Sequence, residues 1–168
     1  MKTSILVTGG AGFIGSHTCV ALLDAGHEVV VLDNLCNSDA SVVRRIGEIC
    51  RREPVFIEGD IRDGALLKSL FQDHQVTAVM HFAGLKAVGE SVAMPLAYYD
   101  SIVTGSLVLL EAMERAGVNR IVYSSSATVY GDPASVPIRE DFPLSATNPY
   151  GRAKLMVEEI LADWHVAR

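Results

Sequence analysis

Thr8-Gly9-Gly10-Ala11-Gly12-Phe13-Ile14-Gly15 is the stretch that decides the fold of this chain. An apolar run, Ser4 to Thr8, leads into it. A helical pattern from Phe13 to Ala25 leads out, with Gly26 placed as its C-terminal cap. Gly9, Gly12 and Gly15 stand three apart. At that spacing Gly9 permits a tight turn, Gly12 lets backbone approach a pyrophosphate, and Gly15 lets the helix pack closely on the strand. The N–H groups at the helix start then face the phosphate charge. Glycines alone also serve plain turns, so the frame carries the weight: strand, loop, helix, and a second strand ending in Asp33. Asp33 lies 18 residues past Gly15, close to the roughly 20 expected of an acid that binds the adenosine ribose. A carboxylate there accepts bonds from ribose hydroxyls and repels a 2′-phosphate. Asn34-Leu35-Cys36-Asn37 offers no arginine to receive that phosphate. The expected ligand is therefore NAD rather than NADP.

Outward from this loop the pattern repeats. Glu28 to Asp33 reads as a buried strand, Asp39 to Arg52 as a helix, Pro54 to Glu58 as a strand and Asp63 to Asp73 as a short helix. Thr77 to Phe82 reads as a fourth strand, Pro95 to Ala116 as one long helix ended by Gly117, and Arg120 to Ser125 as a fifth strand. Ala127 to Asn148, rich in Pro, Ser and Asp, reads as a loop, and Tyr150 to His165 as a last helix. Strands that are apolar nearly throughout, alternating with helices, predict an α/β fold: a doubly wound, Rossmann-type parallel sheet covered on both faces. There is no repeat, low-complexity tract or linker, so residues 1–168 read as one NAD-binding domain. The fifth strand reads as an open edge unless something pairs with it, which suggests part of a larger protein.

Composition narrows the classes. Hydrophobic residues make up 49% of the chain, which suits a globular core. A net charge of -6 argues against nucleic acid, which asks for a basic face. Cys19, Cys36 and Cys50 are odd in number and form no Cys-x-x-Cys pair, which favours a reduced, cytoplasmic setting. The five histidines lack metal-ligand spacing, so no metal is expected. The opening ten residues read as a first strand rather than a signal peptide, and no apolar run approaches membrane-spanning length.

Chemistry is concentrated near the carboxyl end. Tyr150-Gly151-Arg152-Ala153-Lys154 sets a tyrosine and a lysine at i and i+4, on one helix face. A free tyrosine, with a pKa near 10, is a poor base at neutral pH. A nearby ammonium and a positive nicotinamide ring both favour the phenolate. Such a phenolate can take a proton from a substrate hydroxyl while a hydride leaves the same carbon. Tyr-x-x-x-Lys is common by chance. It gains weight from the dinucleotide pattern and from Ser124-Ser125-Ser126 at the end of the fifth strand, where ligands of open α/β sheets bind. Chemistry alone leaves the three serines equal.

Thr-Gly-x-x-Gly-x-x-Gly, a serine after the fifth strand and Tyr-x-x-x-Lys together resemble the extended short-chain dehydrogenase/reductase family. Within it, three longer runs are similar to the UDP-glucose 4-epimerase family: Leu32-Asp33-Asn34-Leu35-Cys36-Asn37-Ser38, His81-Phe82-Ala83-Gly84-Leu85-Lys86-Ala87-Val88-Gly89-Glu90-Ser91 and Ser124-Ser125-Ser126-Ala127-Thr128-Val129-Tyr130-Gly131. The resemblance implies that Tyr150 is the base, Ser126 its partner at the substrate oxygen, and Lys154 the residue that holds the nicotinamide ribose and tunes Tyr150. It also implies a cofactor shell of Gly9, Gly12, Phe13, Ile14, Gly15, Asp33, Asn34, Asn37, Ser38, Asp60, Ile61, Phe82, Ala83, Gly84 and Lys86. Thr128 and Lys86 join Ser126 and Tyr150 at the substrate. Relatives often carry Asn-Asn after Tyr-Tyr-Asp, the first Asn at the cofactor. Here Tyr98-Tyr99-Asp100 is followed by Ser101-Ile102, and Ser101 reaches less far.

The resemblance further implies an isomerase that interconverts UDP-galactose and UDP-glucose through a 4-keto sugar, with tightly held NAD. It implies a homodimer paired through the helices Pro95–Ala116 and Tyr150–His165. Family members run to about twice this length, their carboxy-terminal part binding the UDP-sugar, so little activity is expected of this chain alone. Two other readings exist. A dehydratase of the same family puts Asp-Glu after the serine or threonine of the fifth strand, where this chain has Ala127-Thr128. A non-catalytic NAD-binding fragment is the second.

Overall fold

The computed structural model describes residues 3–167. Five strands form one parallel sheet: β1 (Ser4–Thr8), β2 (Glu28–Asp33), β3 (Val55–Glu58), β4 (Val76–His81) and β5 (Ile121–Tyr123), in the order β3-β2-β1-β4-β5. The chain winds outward from β1 to β3, then returns to place β4 on the other side of β1. The sheet therefore changes direction between β1 and β4, at the carboxyl ends of which an open α/β sheet binds ligands. Register brings Thr8 level with Leu32 on one side and with His81 on the other.

Both faces of β1 and β2 are buried, as a doubly covered sheet requires. On one face Val7, Val29 and Val31 pack against Cys19 and Leu23 of α1 (Phe13–Asp24) and Val43 and Ile46 of α2 (Ser41–Cys50). Leu6, Val30 and Leu32 alternate to the other face and are at most 1% exposed. On that side Leu66 of α3 (Gly64–Asp73) and Leu32 both crowd Gly59. Each such side chain contributes about 1.5–3 kcal/mol relative to exposure. The helices end as read: Gly26 and Gly117 adopt φ +89° and +70° just past α1 and α6 (Gly105–Ala116), conformations with no Cβ penalty.

The chain divides into two compact units. One closes at Ala83 and resumes over Leu107–Ser124, and contains the whole sheet; the other comprises Gly84–Ser106 and the chain from Ser125 onward. The second unit departs from the sequence expectation. Val88–Ala93 is a short helix, α4, where none was predicted. The long helix expected over Pro95–Ala116 is not uniform. It comprises α5 (Pro95–Tyr99), a π-helical turn over Asp100–Thr104, and α6. A single π-turn inside an α-helix has no residue signature of its own, so the run reads as one helix. The expected loop 127–148 opens with a 3-10 turn, Ala127–Tyr130, capped by Ser126. The last helix, α7, is Pro149–Val166 with Asn148 as N-cap, its Oδ1 accepting from the Gly151 N–H at 2.8 Å. In the first unit β5 has three residues, not six, and is an edge of the sheet among the described residues.

Candidate active site and nucleotide cradle

The glycine loop is fixed by close packing. Gly9 has φ +68°, and a Cβ on it would lie 2.7 Å from the Ala83 nitrogen. Thr8 draws this β4 exit in: its carbonyl accepts from Phe82 N–H at 3.0 Å, and its Oγ1 from Ala83 N–H at 3.3 Å. Thr8 Oγ1 also meets His81 Nδ1 at 2.7 Å. A Cβ on Gly15 would stand 2.2 Å from the Gly9 carbonyl oxygen. Gly15 therefore clears room for the loop's own backbone, a correction to the expectation that it clears room for the strand. Gly12 is the extended N-cap of α1, with no side-chain cap and no acid in the first turn. The positive end of the helix is thus left to an anion. Phe13 and Ile14, in that first turn, are 77% and 57% exposed.

Asp33 sits at the carboxyl end of β2, 8% exposed. Its Oδ2 accepts from Ala11 N–H at 3.0 Å; its Oδ1 accepts from Leu35 N–H at 3.0 Å and from Ser38 Oγ at 2.8 Å. The carboxylate therefore braces the glycine loop, a role the sequence did not disclose. With about four acceptor positions, it keeps capacity for a ribose hydroxyl. Asp60 takes bonds from the Arg62 guanidinium and from Asn34 Nδ2 at 2.8 Å. The Arg62 bonds hold its carboxyl well below the usual carboxylate range. Ile61 beside it is buried and Asn37 is exposed. The cradle that a Cβ would fill, the uncapped helix start and the acid at the strand end fit a dinucleotide. Ser4, Glu28, Glu53, Val55, His74 and Gln75 help line a cavity of about 300 Å³ at the amino ends of the strands; it includes none of the predicted site residues.

In the second unit, α7 carries Tyr150 and Lys154. The Lys154 ammonium lies 6.0 Å from the centre of the Tyr150 ring. Lys154 is 5% exposed, and burial pushes its ammonium down to about 8. Ser126 Oγ accepts two bonds from Thr128, from its N–H at 3.2 Å and its Oγ1 at 2.9 Å. A hydroxyl has two acceptor positions and one proton, so Ser126 retains its proton to donate. Gly151 permits this turn to approach α7, for a Cβ there would lie 2.7 Å from the Thr128 carbonyl oxygen. Thr128, expected at the substrate, thus spends its hydroxyl on Ser126.

Sequence reasoning missed two supports of Tyr150. Ser91, fully buried in α4, accepts from the Tyr150 N–H at 3.2 Å. Tyr98, also fully buried, meets the Tyr150 ring edge-on at 6.4 Å. The Tyr98 hydroxyl accepts from Ala87 N–H at 3.0 Å and donates to Glu90 at 2.6 Å, and burial pushes it up to about 12. Ser91 closes the run that begins at His81 and Tyr98 opens Tyr-Tyr-Asp, but nothing in a serine or tyrosine letter signals complete burial. Ser101 Oγ accepts from Leu85 N–H at 3.3 Å, and Gly84 and Lys86 flank that residue, Lys86 exposed. Among the described residues no helix is long and apolar enough to cross a membrane, and no cluster of His, Cys, Asp and Glu could hold a metal.

Sheet order, glycine loop and acid at the strand end define a doubly wound α/β protein of the dinucleotide-binding type. The sequence profile of the GDP-mannose 4,6 dehydratase family matches residues 6–168, and the chain belongs to that family. It is similar to the amino-terminal half of UDP-glucose 4-epimerases. It is 60% identical to that of Bacillus subtilis over 98% of this chain and 48% of the relative, and 60% identical to one from Neisseria meningitidis over 95% and 48%. The chain thus spans about half the length of the curated relatives it matches. Among solved structures, a UDP-glucose 4-epimerase from Stenotrophomonas maltophila with bound NAD and formylated UDP-arabinopyranose superposes with a TM-score of 0.95. It is 55% identical, over 98% of this chain and 49% of that one. One from Bifidobacterium longum, in complex with NAD+ and UDP, gives 0.96 at 49% identity, over 98% and 50%.

Proposed function

We propose that this chain is the NAD-binding, base-carrying half of a UDP-glucose 4-epimerase that interconverts UDP-galactose and UDP-glucose through a 4-keto sugar. The observation that carries the reading is the bonding of Ser126: its oxygen accepts two bonds from Thr128, which leaves its own proton available to a sugar oxygen. Tyr150 takes the proton of the sugar 4-hydroxyl and returns it after the keto sugar has turned over. Lys154 holds its ammonium 6.0 Å from the centre of the Tyr150 ring. Bound NAD would supply the hydride chemistry at C4 that the inversion needs. Gly9, Gly12, Phe13, Ile14 and Gly15 would hold its pyrophosphate, Asp33 a ribose, Asn34, Asn37 and Ser38 the loop about that ribose, Asp60 and Ile61 the adenine. Phe82, Ala83, Gly84, Lys86 and Ser101 are assigned to the rest of the cofactor. Ala127 and Thr128 carry no carboxyl for the proton transfer of an elimination, which disfavours a dehydratase.

The activity proposed belongs to the protein at the full length of its relatives; the grip on the UDP handle is assigned to that remaining length, and this chain alone is expected to turn over slowly. Pairing of two copies is assigned to the helical segments Pro95–Ala116 and Tyr150–His165, where Leu96 and Met156 are exposed. Cys19, Cys36 and Cys50 are all free thiols, in keeping with the cytoplasm. The test is Tyr150→Phe in the full-length protein. NAD content stays at the wild-type level, while conversion of UDP-galactose to UDP-glucose falls about 10²–10⁴-fold, the usual loss on removing a general base. Turnover within a few-fold of wild type removes Tyr150 from the mechanism.

A further inference from the structure

Glu158 takes no part in the chemistry above, yet it shares a face of α7 with Tyr150 and Lys154, one i+4 step beyond the lysine. It accepts a hydrogen bond from the Ser125 hydroxyl. Both residues are half-buried, so the bond is not one of the exposed kind that water replaces freely. Ser125 directly precedes Ser126. On the other side of Ser126, the Thr128 backbone rests on Gly151, at the spot a Cβ would occupy. The segment 125–128 is therefore fastened to α7 at two levels: at Gly151 in its first turn and at Glu158, roughly 10 Å further along the helix axis. Lys154 lies between the two levels, and Ser126 lies between the two fastened residues. With the Glu158 fastening removed, Ser126 Oγ would be held less firmly relative to the Tyr150 ring.

We infer that Glu158 is a positioning residue for the reaction: by holding Ser125 it fixes the place of the Ser126 proton donor against the face of α7 that carries Tyr150 and Lys154. The inference rests on the epimerase reading above. Glu158 touches no substrate; it acts through Ser125. An amide can accept the same bond, whereas a methyl cannot, so the negative charge itself is dispensable.

The test compares Glu158→Ala, Glu158→Gln, Ser125→Ala and the double variant Glu158→Ala/Ser125→Ala in the full-length protein, with Tyr150→Phe alongside. A misplacement on the ångström scale costs up to about 100-fold in rate. Glu158→Ala and Ser125→Ala should each lower kcat by about 10-fold to 100-fold, with KM and NAD content held. The double variant should fall no further than the worse single one, because one bond is removed in all three. Glu158→Gln should recover most of the rate. In the 168-residue chain itself, exchange of the Thr128 amide hydrogen with deuterium should speed up in Glu158→Ala. An unchanged kcat in Glu158→Ala, losses that multiply in the double variant, or a loss accounted for by lost NAD overturns the inference. If Glu158→Ala does not fold, Ser125→Ala and Glu158→Gln decide by the same criteria. Should Tyr150→Phe retain turnover, the epimerase reading fails; should it lose turnover while the Glu158 set does not, only the present inference fails.

Discussion

The stability of a Lys154→Met variant relative to wild type should fall as the pH rises from neutral into alkali. Burial brings the Lys154 ammonium to about 8 from an ordinary 10.5. At about 1.4 kcal/mol per pH unit, folding with this group charged costs about 3 kcal/mol. The sign follows from proton counts. Between pH 8 and 10.5 the unfolded chain keeps the proton that the folded chain has released, so wild-type stability rises with pH in that window. The penalty is fully present below pH 8 and is gone once both states are neutral. Methionine has nearly the length and flexibility of the lysine stem, and whatever packing or bonding it alters is offset equally at every pH. The informative quantity is therefore the change with pH of the stability difference between Lys154→Met and wild type. Urea unfolding at half-unit steps from pH 7 to 10.5, without NAD, measures it. The variant's relative stability should fall by about 3 kcal/mol across the range. A difference that stays flat with pH would show that Lys154 is solvated when folded, and would remove the buried ammonium from the account of Tyr150.

Two further substitutions probe the cradle. Gly9→Ala meets a left-handed backbone and the Ala83 nitrogen at 2.7 Å; it should cost more than the roughly 1–2 kcal/mol of the backbone strain alone, read by urea unfolding, and a loss under about 0.5 kcal/mol would refute the close packing of the loop on the β4 exit. Asp33→Ala should lessen the preference for NAD over NADP in calorimetric titration and also cost about 1–3 kcal/mol of stability, because the buried Ala11 N–H loses its acceptor; an unchanged cofactor ratio would remove the ribose role.

The sheet and its glycine loop were legible because their signals are local. Val29 to Leu32 are apolar in a row, Gly26 and Gly117 mark helix ends, and the triplet Gly9, Gly12, Gly15 needs only the order strand, loop, helix to be read. Asp33 was found by its distance along the chain, but its brace to Ala11 was not, since a bond between residues 22 apart leaves no trace in spacing. The π-helical turn at Asp100–Thr104 stayed hidden for a different reason: it interrupts a run that reads as one continuous helix, and a π-turn has no residue signature of its own. The 3-10 turn after Ser126 was hidden by composition, because a Pro- and Ser-rich stretch reads as irregular throughout.

The two units differ in how they treat polar groups. In the first, buried polar side chains such as Thr8 and Asp33 are bonded to backbone that they hold in place. The second buries an ammonium at Lys154 at a cost in stability, and completely buries Ser91 and Tyr98, whose hydroxyls serve a neighbouring backbone N–H each. Desolvation of that ammonium is the cost worked above. A sequence that accepts that cost locally is compensated elsewhere or by function. Here the three buried groups share one neighbour: Ser91 fixes the Tyr150 backbone, Tyr98 its ring, and Lys154 faces it from the next turn of α7. Buried side chains that converge on a single phenol are what the base role proposed for Tyr150 would require if it is to be held in one orientation. That convergence, more than the spacing Tyr-x-x-x-Lys, marks out Tyr150: its backbone N–H is bonded by buried Ser91, its ring meets buried Tyr98 edge-on, and the buried Lys154 ammonium lies 6.0 Å from its ring centre.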